Sequence, residues 1–525
     1  MNRKFSKAGA IILSAVLLIG FAGCKSSSDS KHKDLSEPNL KNEDGINNNS
    51  KWDISKNKGN DEGYIDTYFE NYGVNPETYV SEDSKSTFAL DVDTASYTKA
   101  RNYIEQGMMP PKDSVRVEEF INYFKRHYDA PSDDTFSIYT EIAPSIFKKD
   151  HHIIEVGVQG KEVYGREKKN SVLTFVIDIS GSMNTENRLG LVKESLNMLI
   201  DQMTEEDKIG IAVYGTKGRK LLEHTSGDRK DYIKKKIAQL KPEGSTNASE
   251  GLQIGFKMAD QNFDKNANNR IILCTDGVAN QGLTDAEDIL RTIEDYNKRG
   301  ITLSSFGFGM DNYNDMFMEK LADKGDGNYS YIDTLDEAKR VFTEELTSVL
   351  QVIAKDAKAQ VEFDKNSVET YRLIGYENRD IKDEDFKDNS VDAGEVGAGH
   401  AVTALYEVKL KEDLSDNIAV VKLRYKNMQT DKFDEISKNI KASDVKKDFN
   451  DATARFRFIN MVTQFAEILR ESEYAGTGMS EIYDMLKADE SQFVASKEDS
   501  EFIELVGKAM DINSENQTGQ RGQRE

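Results

Sequence analysis

The sequence predicts an α/β fold: a doubly wound, mostly parallel sheet flanked by a β-sandwich and followed by a helical region. Three observations lead to this prediction. Apolar strand patterns alternate with amphipathic helix patterns over 171–355, as in parallel sheets with right-handed crossovers. Alternating strand patterns stand on both sides of that segment, over 136–158 and 357–441. A strong amphipathic helix pattern over 449–471 then begins a third region.

Composition divides the 525-residue chain into consecutive segments. Residues 1–23 have the three-part form of a signal peptide, and the Ser-, Asn- and Lys-rich residues 24–61 have so little to bury that a disordered tether is expected. The expected order thereafter is an N-terminal flanking region with strands (62–165), the central α/β domain (171–355), a β-strand region (356–445), a C-terminal helical region (446–512) and a disordered polar tail (513–525).

The N-terminal segment predicts attachment to a membrane. Its apolar run, 8–21, follows basic residues and is too short for a typical spanning helix. It ends in Phe21-Ala22-Gly23-Cys24, which resembles a bacterial lipobox with Phe21 where Leu is usual. Two acyl chains on Cys24 would suffice for stable anchoring. We therefore expect a lipid-anchored protein of the bacterial cell membrane that faces outside the cytoplasm; the alternative is an ordinary secretory signal with an incidental cysteine.

Charge and cysteine content exclude several classes of function. The formal net charge of −23 argues against a nucleic-acid partner, which requires a basic face. Gly307-Phe308-Gly309 lacks the G-x-G-x-x-G spacing and the lysine of phosphate-binding loops, which disfavours a nucleotide. Cys274 lies within an apolar strand pattern and, with Cys24 lipidated, has no partner for a disulfide. Packing alone must then stabilise the exported protein.

The flanking segments predict one β-sandwich. The pattern over 136–158 indicates exposed antiparallel strands, and we expect them to close with the strands of 357–441 so that the central domain is an insertion. A helix over 335–354 is expected to end that insertion. The Gly-rich, acidic stretch 392–400 is interpreted as a long connection between strands, with a cation site as the alternative.

The most informative motif follows the first strand of the central domain. The β-branched run 172–177 indicates a strand buried on both faces, and Asp178-Ile179-Ser180-Gly181-Ser182 comes directly after it. Ligands bind at the carboxyl ends of strands in open α/β sheets. One carboxylate and two hydroxyls from a single turn suit a hard divalent cation such as Mg²⁺. Alone, the D-x-S-x-S pattern is weak.

Two further loops strengthen the prediction of a metal site. Gly244-Ser245-Thr246-Asn247 offers the hydroxyl of Thr246 before an amphipathic helix, and the apolar strand pattern 270–275 ends in Asp276. With all three loops, the segment of roughly 171–355 resembles the von Willebrand factor type A (VWA) domain and its metal-ion-dependent adhesion site. The resemblance implies Mg²⁺, or Mn²⁺ or Ca²⁺, held by Asp178, Ser180, Ser182, Thr246 and Asp276.

The flanks extend this resemblance over most of the mature chain. The stretches TFALDVDTASY, GEVGAGHAVTALYEV and FRFINMVTQFAEILRESEY are similar to the regions before and after the VWA domain in a bacterial family of VWA lipoproteins. That resemblance implies an architecture and no reaction, because the family has no assigned one.

The predicted site favours binding over catalysis. Hydroxyl ligands leave the cation under-neutralised, so its open face should prefer an anionic oxygen, such as an Asp or Glu side chain of a partner protein. Catalysis would also need a base or nucleophile, and the sequence has no H-E-x-x-H motif or recognisable Ser/His/Asp set. The alternative is an envelope-complex scaffold in which the metal site is only structural.

Overall fold

The computed structural model describes residues 69–90, 93–125, 127–164, 168–277, 286–309, 314–346 and 350–522. All of them belong to one compact unit that spans residues 62–525. The predicted signal peptide (1–23), the lipidation site Cys24 and the predicted tether (24–61) lie outside the described residues.

The strands fall into three sheets. In chain order they are β1 (Thr78–Tyr79), β2 (Lys85–Ala89), β3 (Phe136–Pro144), β4 (His152–Gly160), β5 (Ser171–Asp178), β6 (Lys208–Tyr214), β7 (Gly218–Ser226), β8 (Asn268–Thr275), β9 (Ile301–Phe308), β10 (Tyr329–Ile332), β11 (Val352–Phe363), β12 (Val368–Ile374), β13 (Gly394–Gly397), β14 (Ala401–Leu410), β15 (Asn417–Asn427) and β16 (Lys432–Lys441).

The helices lie on both faces of the central sheet and in a separate layer. They are α1 (Ala95–Glu105), α2 (Val117–Tyr123), α3 (Arg188–Gln202), α4 (Lys230–Ala238), α5 (Ala248–Gln261), α6 (Ala286–Asn297), α7 (Asp315–Lys324), α8 (Leu335–Lys339), α9 (Ala454–Leu469), α10 (Met479–Ala488), α11 (Glu490–Phe493) and α12 (Lys497–Gly522). A 3₁₀ helix (Gly181–Asn187) precedes α3, and a π-helix (Arg340–Glu345) continues α8.

The central sheet has the order β10-β9-β8-β5-β6-β7 within the described residues. Strand β5 pairs in parallel with β6 and β8, whereas β7 joins the edge of the sheet antiparallel to β6. Leu173 and Phe175 face a core shared with α3 and α4, and Val176 faces a second core with α5. This two-faced burial explains the uninterrupted apolar sequence of β5. The predicted doubly wound α/β fold is confirmed.

Two antiparallel sheets form the predicted sandwich. One has the order β1-β12-β14-β4-β3, the other β13-β11-β15-β16 with β2 also paired to β11, and one hydrophobic core lies between them. Strand β4, before the central domain, pairs with β14, after it. The central domain is therefore an insertion. Its two ends meet, since Lys169 N donates to Gln351 Oε1 and Gln351 Nε2 donates to Lys169 O, both at 2.8 Å.

The flanking strands 136–158 differ from the prediction, because β4 is buried rather than exposed. Ile154 faces the sandwich core, whereas Ile153 packs with Leu405 against a helical layer built by α1, α2, α9, α10 and α12. The sequence pattern identifies the apolar residues of β4. It does not show that helices from before and after the central domain cover the face of this sheet that points away from the sandwich core.

One predicted boundary also changes. The expected helix over 335–354 is too long, because the chain is already extended from Val352 as β11, which places the start of the sandwich strand before residue 356. Residues 513–522, which belong to the tail predicted to be disordered, continue α12 as far as Gly522. No proline interrupts residues 497–522, and extending an existing helix costs little compared with nucleating one.

Candidate metal centre

Asp178 is held at the carboxyl end of β5 by two hydrogen bonds. Its side chain is fully buried. Oδ1 accepts from the backbone N of Ser180 at 2.7 Å, and Oδ2 accepts from Thr275 Oγ1 at 2.9 Å. Thr275 reaches it because β5 and β8 are parallel neighbours, with Ile177 opposite Cys274. These two hydrogen bonds fix the orientation of the carboxylate.

The two serines stand beside it in the same turn. Ser180 precedes the 3₁₀ helix in extended backbone geometry, and its Oγ lies 3.0 Å from Ser182 Oγ. Ser180 is buried, whereas Ser182 is only partly covered. The turn thus presents a carboxylate and two adjacent hydroxyls, as the sequence predicted from residue spacing.

The loop of Thr246 contacts this turn directly. Gly181 N donates to Gly244 O at 3.0 Å, and Asn247 N donates to Gly215 O at 2.9 Å. Gly244 has φ +71°, and a Cβ there would overlap the side chain of Thr216, so glycine is required. Asn247 then caps α5 by accepting from Glu250 N at 3.2 Å. Thr246, 7% exposed, is fixed between these contacts.

Asp276 completes the group on the third loop. It is fully buried directly after β8, and its Oδ2 accepts from Arg188 Nη1 at 3.2 Å. Burial, followed by the nearby charge of Asp276, raises the pKa of Asp178 to about 7. The structure therefore places all five predicted ligands in three adjoining loops at one edge of the sheet.

The donor set fits a hard divalent cation. Two buried carboxylates repel each other and lack the solvation that water would provide, which is why the pKa of Asp178 is high. A cation beside them would neutralise that charge, and three hydroxyls from Ser180, Ser182 and Thr246 supply the neutral oxygens that Mg²⁺, Mn²⁺ or Ca²⁺ accepts. The metal-ligand roles of these residues remain a prediction.

A second acidic group lies elsewhere in the described part of the chain. Asp326, Asp392 and Glu395 have carboxylate oxygens within 4.8 Å of one another. Lys355 already pairs with Asp326 and lies 4.0 Å from Glu395. Residues 394–397 of the Gly-rich stretch form β13, which pairs with β11. An internal lysine thus already supplies positive charge to this second acidic group.

Sequence reasoning missed three residues around the site. Thr275 orients Asp178, Arg188 pairs with Asp276, and Gly309, at φ +90°, leaves room for the Arg188 side chain. Only their positions in the sequence could have indicated these residues. Thr275 immediately precedes Asp276, and Arg188 begins the helix after the metal turn. Their partners could not be identified without the sheet register.

Among the helices within the described ranges, none combines the length and apolar character needed to cross a bilayer.

Family models match three parts of the chain. The model described as von Willebrand factor type A domain matches residues 173–344, the model described as von Willebrand factor matches 64–155, and the model described as Uncharacterized protein YfbK, C-terminal, matches 348–512. Together they cover the central domain and both flanks. None of the three is described by a catalytic activity.

Three relatives are similar to this chain over different lengths. The chain is 40% identical over 365 residues to Uncharacterized protein YfbK of Escherichia coli (strain K12), covering 68% of this chain and 63% of that protein. It is 32% identical over 171 residues to Uncharacterized protein sll0103 of Synechocystis sp., covering 32% and 39%. It is 26% identical over 262 residues to inter-alpha-trypsin inhibitor heavy chain H3 of Homo sapiens, covering 46% and 28%. The chain thus spans less than two thirds of the length of these relatives.

Two solved structures similar to this chain are both VWA proteins. The von Willebrand factor type A protein from Catenulispora acidiphila is 16% identical with a TM-score of 0.41, covering 76% of this chain and 89% of that one. The ArnB paralog VWA2 from Sulfolobus acidocaldarius is 17% identical with a TM-score of 0.35, covering 72% and 98%. The family models and the 40% identical relative decide the assignment: this chain belongs to the von Willebrand factor type A domain family.

Proposed function

We propose that this protein is a membrane-anchored, extracytoplasmic binding protein that captures an acidic group of a partner protein through a divalent cation. Asp178, Ser180, Ser182, Thr246 and Asp276 would hold the cation, with Mg²⁺ as the expected metal, and Cys24 would carry the lipid anchor. VWA domains typically mediate protein–protein interaction, which fits this role. In this role the protein binds a partner and catalyses no reaction.

One observation carries the proposal. The two buried carboxylates of Asp178 and Asp276 and the hydroxyl pair of Ser180 and Ser182 lie at a single edge of the sheet, in loops fixed by hydrogen bonds to neighbouring strands. On its open side a cation there would have no anionic ligand, because both carboxylates are buried and the other ligands are hydroxyls. An Asp or Glu side chain supplies the missing anionic oxygen.

The direct test is metal binding by the purified chain and its Asp178→Ala variant. We expect Asp178→Ala to weaken Mg²⁺ binding in isothermal titration calorimetry by at least about tenfold, since it removes the central carboxylate. Asp326→Ala is the matched control, because it removes a carboxylate from the other acidic group. Equal loss in both variants, or none in either, would contradict the assigned site.

The partner is tested separately with envelope extract. Capture by the wild-type chain should require Mg²⁺, disappear in EDTA and disappear in Asp178→Ala, while circular dichroism shows that the variant is folded. Capture that persists in EDTA and in Asp178→Ala would instead support the scaffold alternative, in which the sandwich and helical layer make the contacts.

A further inference from the structure

Arg188 is a buried cation directly behind the candidate metal centre. It is the first residue of α3 and its side chain is 3% exposed. Its Nη1 lies 3.2 Å from Oδ2 of the fully buried Asp276. Burying a guanidinium costs free energy that a carboxylate partner must offset. Because the Arg188 side chain is buried, it does not contribute to the solvated surface, and its charge must have another role.

The space for Arg188 is built by a separate loop. Gly309, directly after β9, has φ +90°, and a Cβ on it would overlap Nε and Cδ of Arg188. Gly309, the second glycine of Gly307-Phe308-Gly309, thus leaves room for the guanidinium beside Asp276. Three segments distant in sequence cooperate to hold one charge in place.

The charges at the site show what this arrangement can do. With both carboxylates ionised, as metal ligation requires, Asp178 and Asp276 contribute two negative charges and Arg188 one positive charge. A divalent cation then leaves the site with one net positive charge. Without Arg188 the loaded site would be neutral. Since these groups are buried, solvent screens their interactions only weakly.

We propose that Arg188 is a fixed counter-charge that lowers the affinity for the cation and raises the affinity of the loaded site for an acidic group. This inference rests on the proposed function. Arg188 acts through Asp276 and through its own charge, and is a positioning residue rather than a ligand. If Arg188 were only structural, its replacement would change the affinity for the cation and the affinity for the acidic group in the same direction, or would change neither.

The test measures both affinities in the purified full chain, with Mn²⁺ as a spectroscopic substitute for Mg²⁺. Mn²⁺ binding is followed by electron paramagnetic resonance, and L-glutamate binding to the Mn²⁺-loaded chain by water-proton relaxation. We expect Arg188→Met to bind Mn²⁺ roughly tenfold more tightly and L-glutamate roughly tenfold more weakly, from the loss of one charge near the cation. Arg188→Lys keeps the charge and should restore both affinities toward wild type.

Lys193→Met is the matched control, because it removes one positive charge from the partly exposed side of the same helix. Both of its affinities should equal those of the wild type. Should Arg188→Met fail to fold, Gly309→Ala provides a second variant, because its Cβ displaces the guanidinium without removing it. This variant should also bind Mn²⁺ more tightly and L-glutamate more weakly than the wild type.

The outcomes separate the two proposals. Wild-type Mn²⁺ binding that is lost in Asp178→Ala but unchanged in Arg188→Met would overturn the role of Arg188 and leave the metal site intact. The same holds if both affinities of Arg188→Met move in one direction. Absence of Mn²⁺ binding in the wild type would overturn both proposals.

Discussion

Two buried carboxyl groups, Asp178 and Glu118, have a pKa raised to about 7, yet their surroundings differ. Asp178 faces a second carboxylate and two hydroxyls at an edge of the central sheet. Glu118, on α2, accepts from the backbone N of Tyr376 at 3.0 Å inside the flanking region. Burial and then the charges of Glu377 and Glu119 raise the pKa of Glu118. The first environment suits a cation; the second is structural.

Glu118 should make stability depend on pH. A carboxyl whose pKa is higher in the folded state binds its proton more tightly there, so its contribution to folding is fully present below about pH 4.5 and is lost as pH rises through about 7. Glu118→Gln keeps the acceptor for Tyr376 N without the charge. We expect it to be more stable than wild type at pH 8, by on the order of 2 kcal/mol.

Urea unfolding between pH 5 and pH 8 measures this difference. The gap between Glu118→Gln and wild type should grow with pH, whereas the exposed Glu473→Gln should follow the wild-type profile. A gap that is constant over this range would show that Glu118 does not titrate there.

At the scale of elements, the contact between β5 and α5 positions the metal turn. Gly255 lies in α5 over Val176 of β5, and an added Cβ would overlap Val176 Cγ2. Glycine in a helix interior is normally worse than alanine by about 1 kcal/mol. Here the close approach of helix to strand reverses the preference, because the backbone of α5 must lie against the side chain of Val176.

Gly255→Ala should therefore destabilise the protein, by about 1–3 kcal/mol from overpacking. Val176→Ala removes the methyl groups that the new Cβ would meet. The double variant should be more stable than the sum of the two single effects predicts, as measured by a double-mutant cycle in urea. Additive single effects would mean that the contact does not limit the approach of α5 to β5.

At the scale of the molecule, a buried ionic network joins the N-terminal flank to the VWA domain. Arg101 of α1 donates from Nε and Nη2 to both oxygens of Asp333, at 2.8 and 2.6 Å, and from Nη2 to Glu337 at 3.0 Å. Tyr123 OH and Arg340 Nη2 also donate to Glu337, at 2.8 and 2.6 Å. These contacts join α1 and α2 to α8 and the π-helix that follows it.

Arg101→Met should lower the free energy of unfolding by about 3–5 kcal/mol, because it leaves buried carboxylates without their partner. Lys508→Met is the control: it breaks the pair with Glu105 at the end of the same α1, where both side chains are 48% exposed. That change should cost less than about 1 kcal/mol. Similar losses in the two variants, measured by chemical denaturation, would contradict a special role for the buried network.

Much of the fold was predictable because it rests on short-range patterns. The period of apolar residues identified β5, β6, β8 and α3, and their alternation implied a parallel sheet. The turn of Asp178, Ser180 and Ser182 could be found from residues two positions apart. Antiparallel β7 was missed because its pattern is polar and largely exposed at a sheet edge.

The amino-acid order alone thus established the elements of the VWA domain, the position of its candidate metal turn and the insertion of that domain between sandwich strands. Three-dimensional packing established the burial of β4, the network around Arg101 and the pair of Arg188 with Asp276, which lie 88 residues apart. Periodicity is a property of neighbouring residues, and the sequence shows it directly. Which buried charge meets which depends on strand register and helix packing across the whole chain.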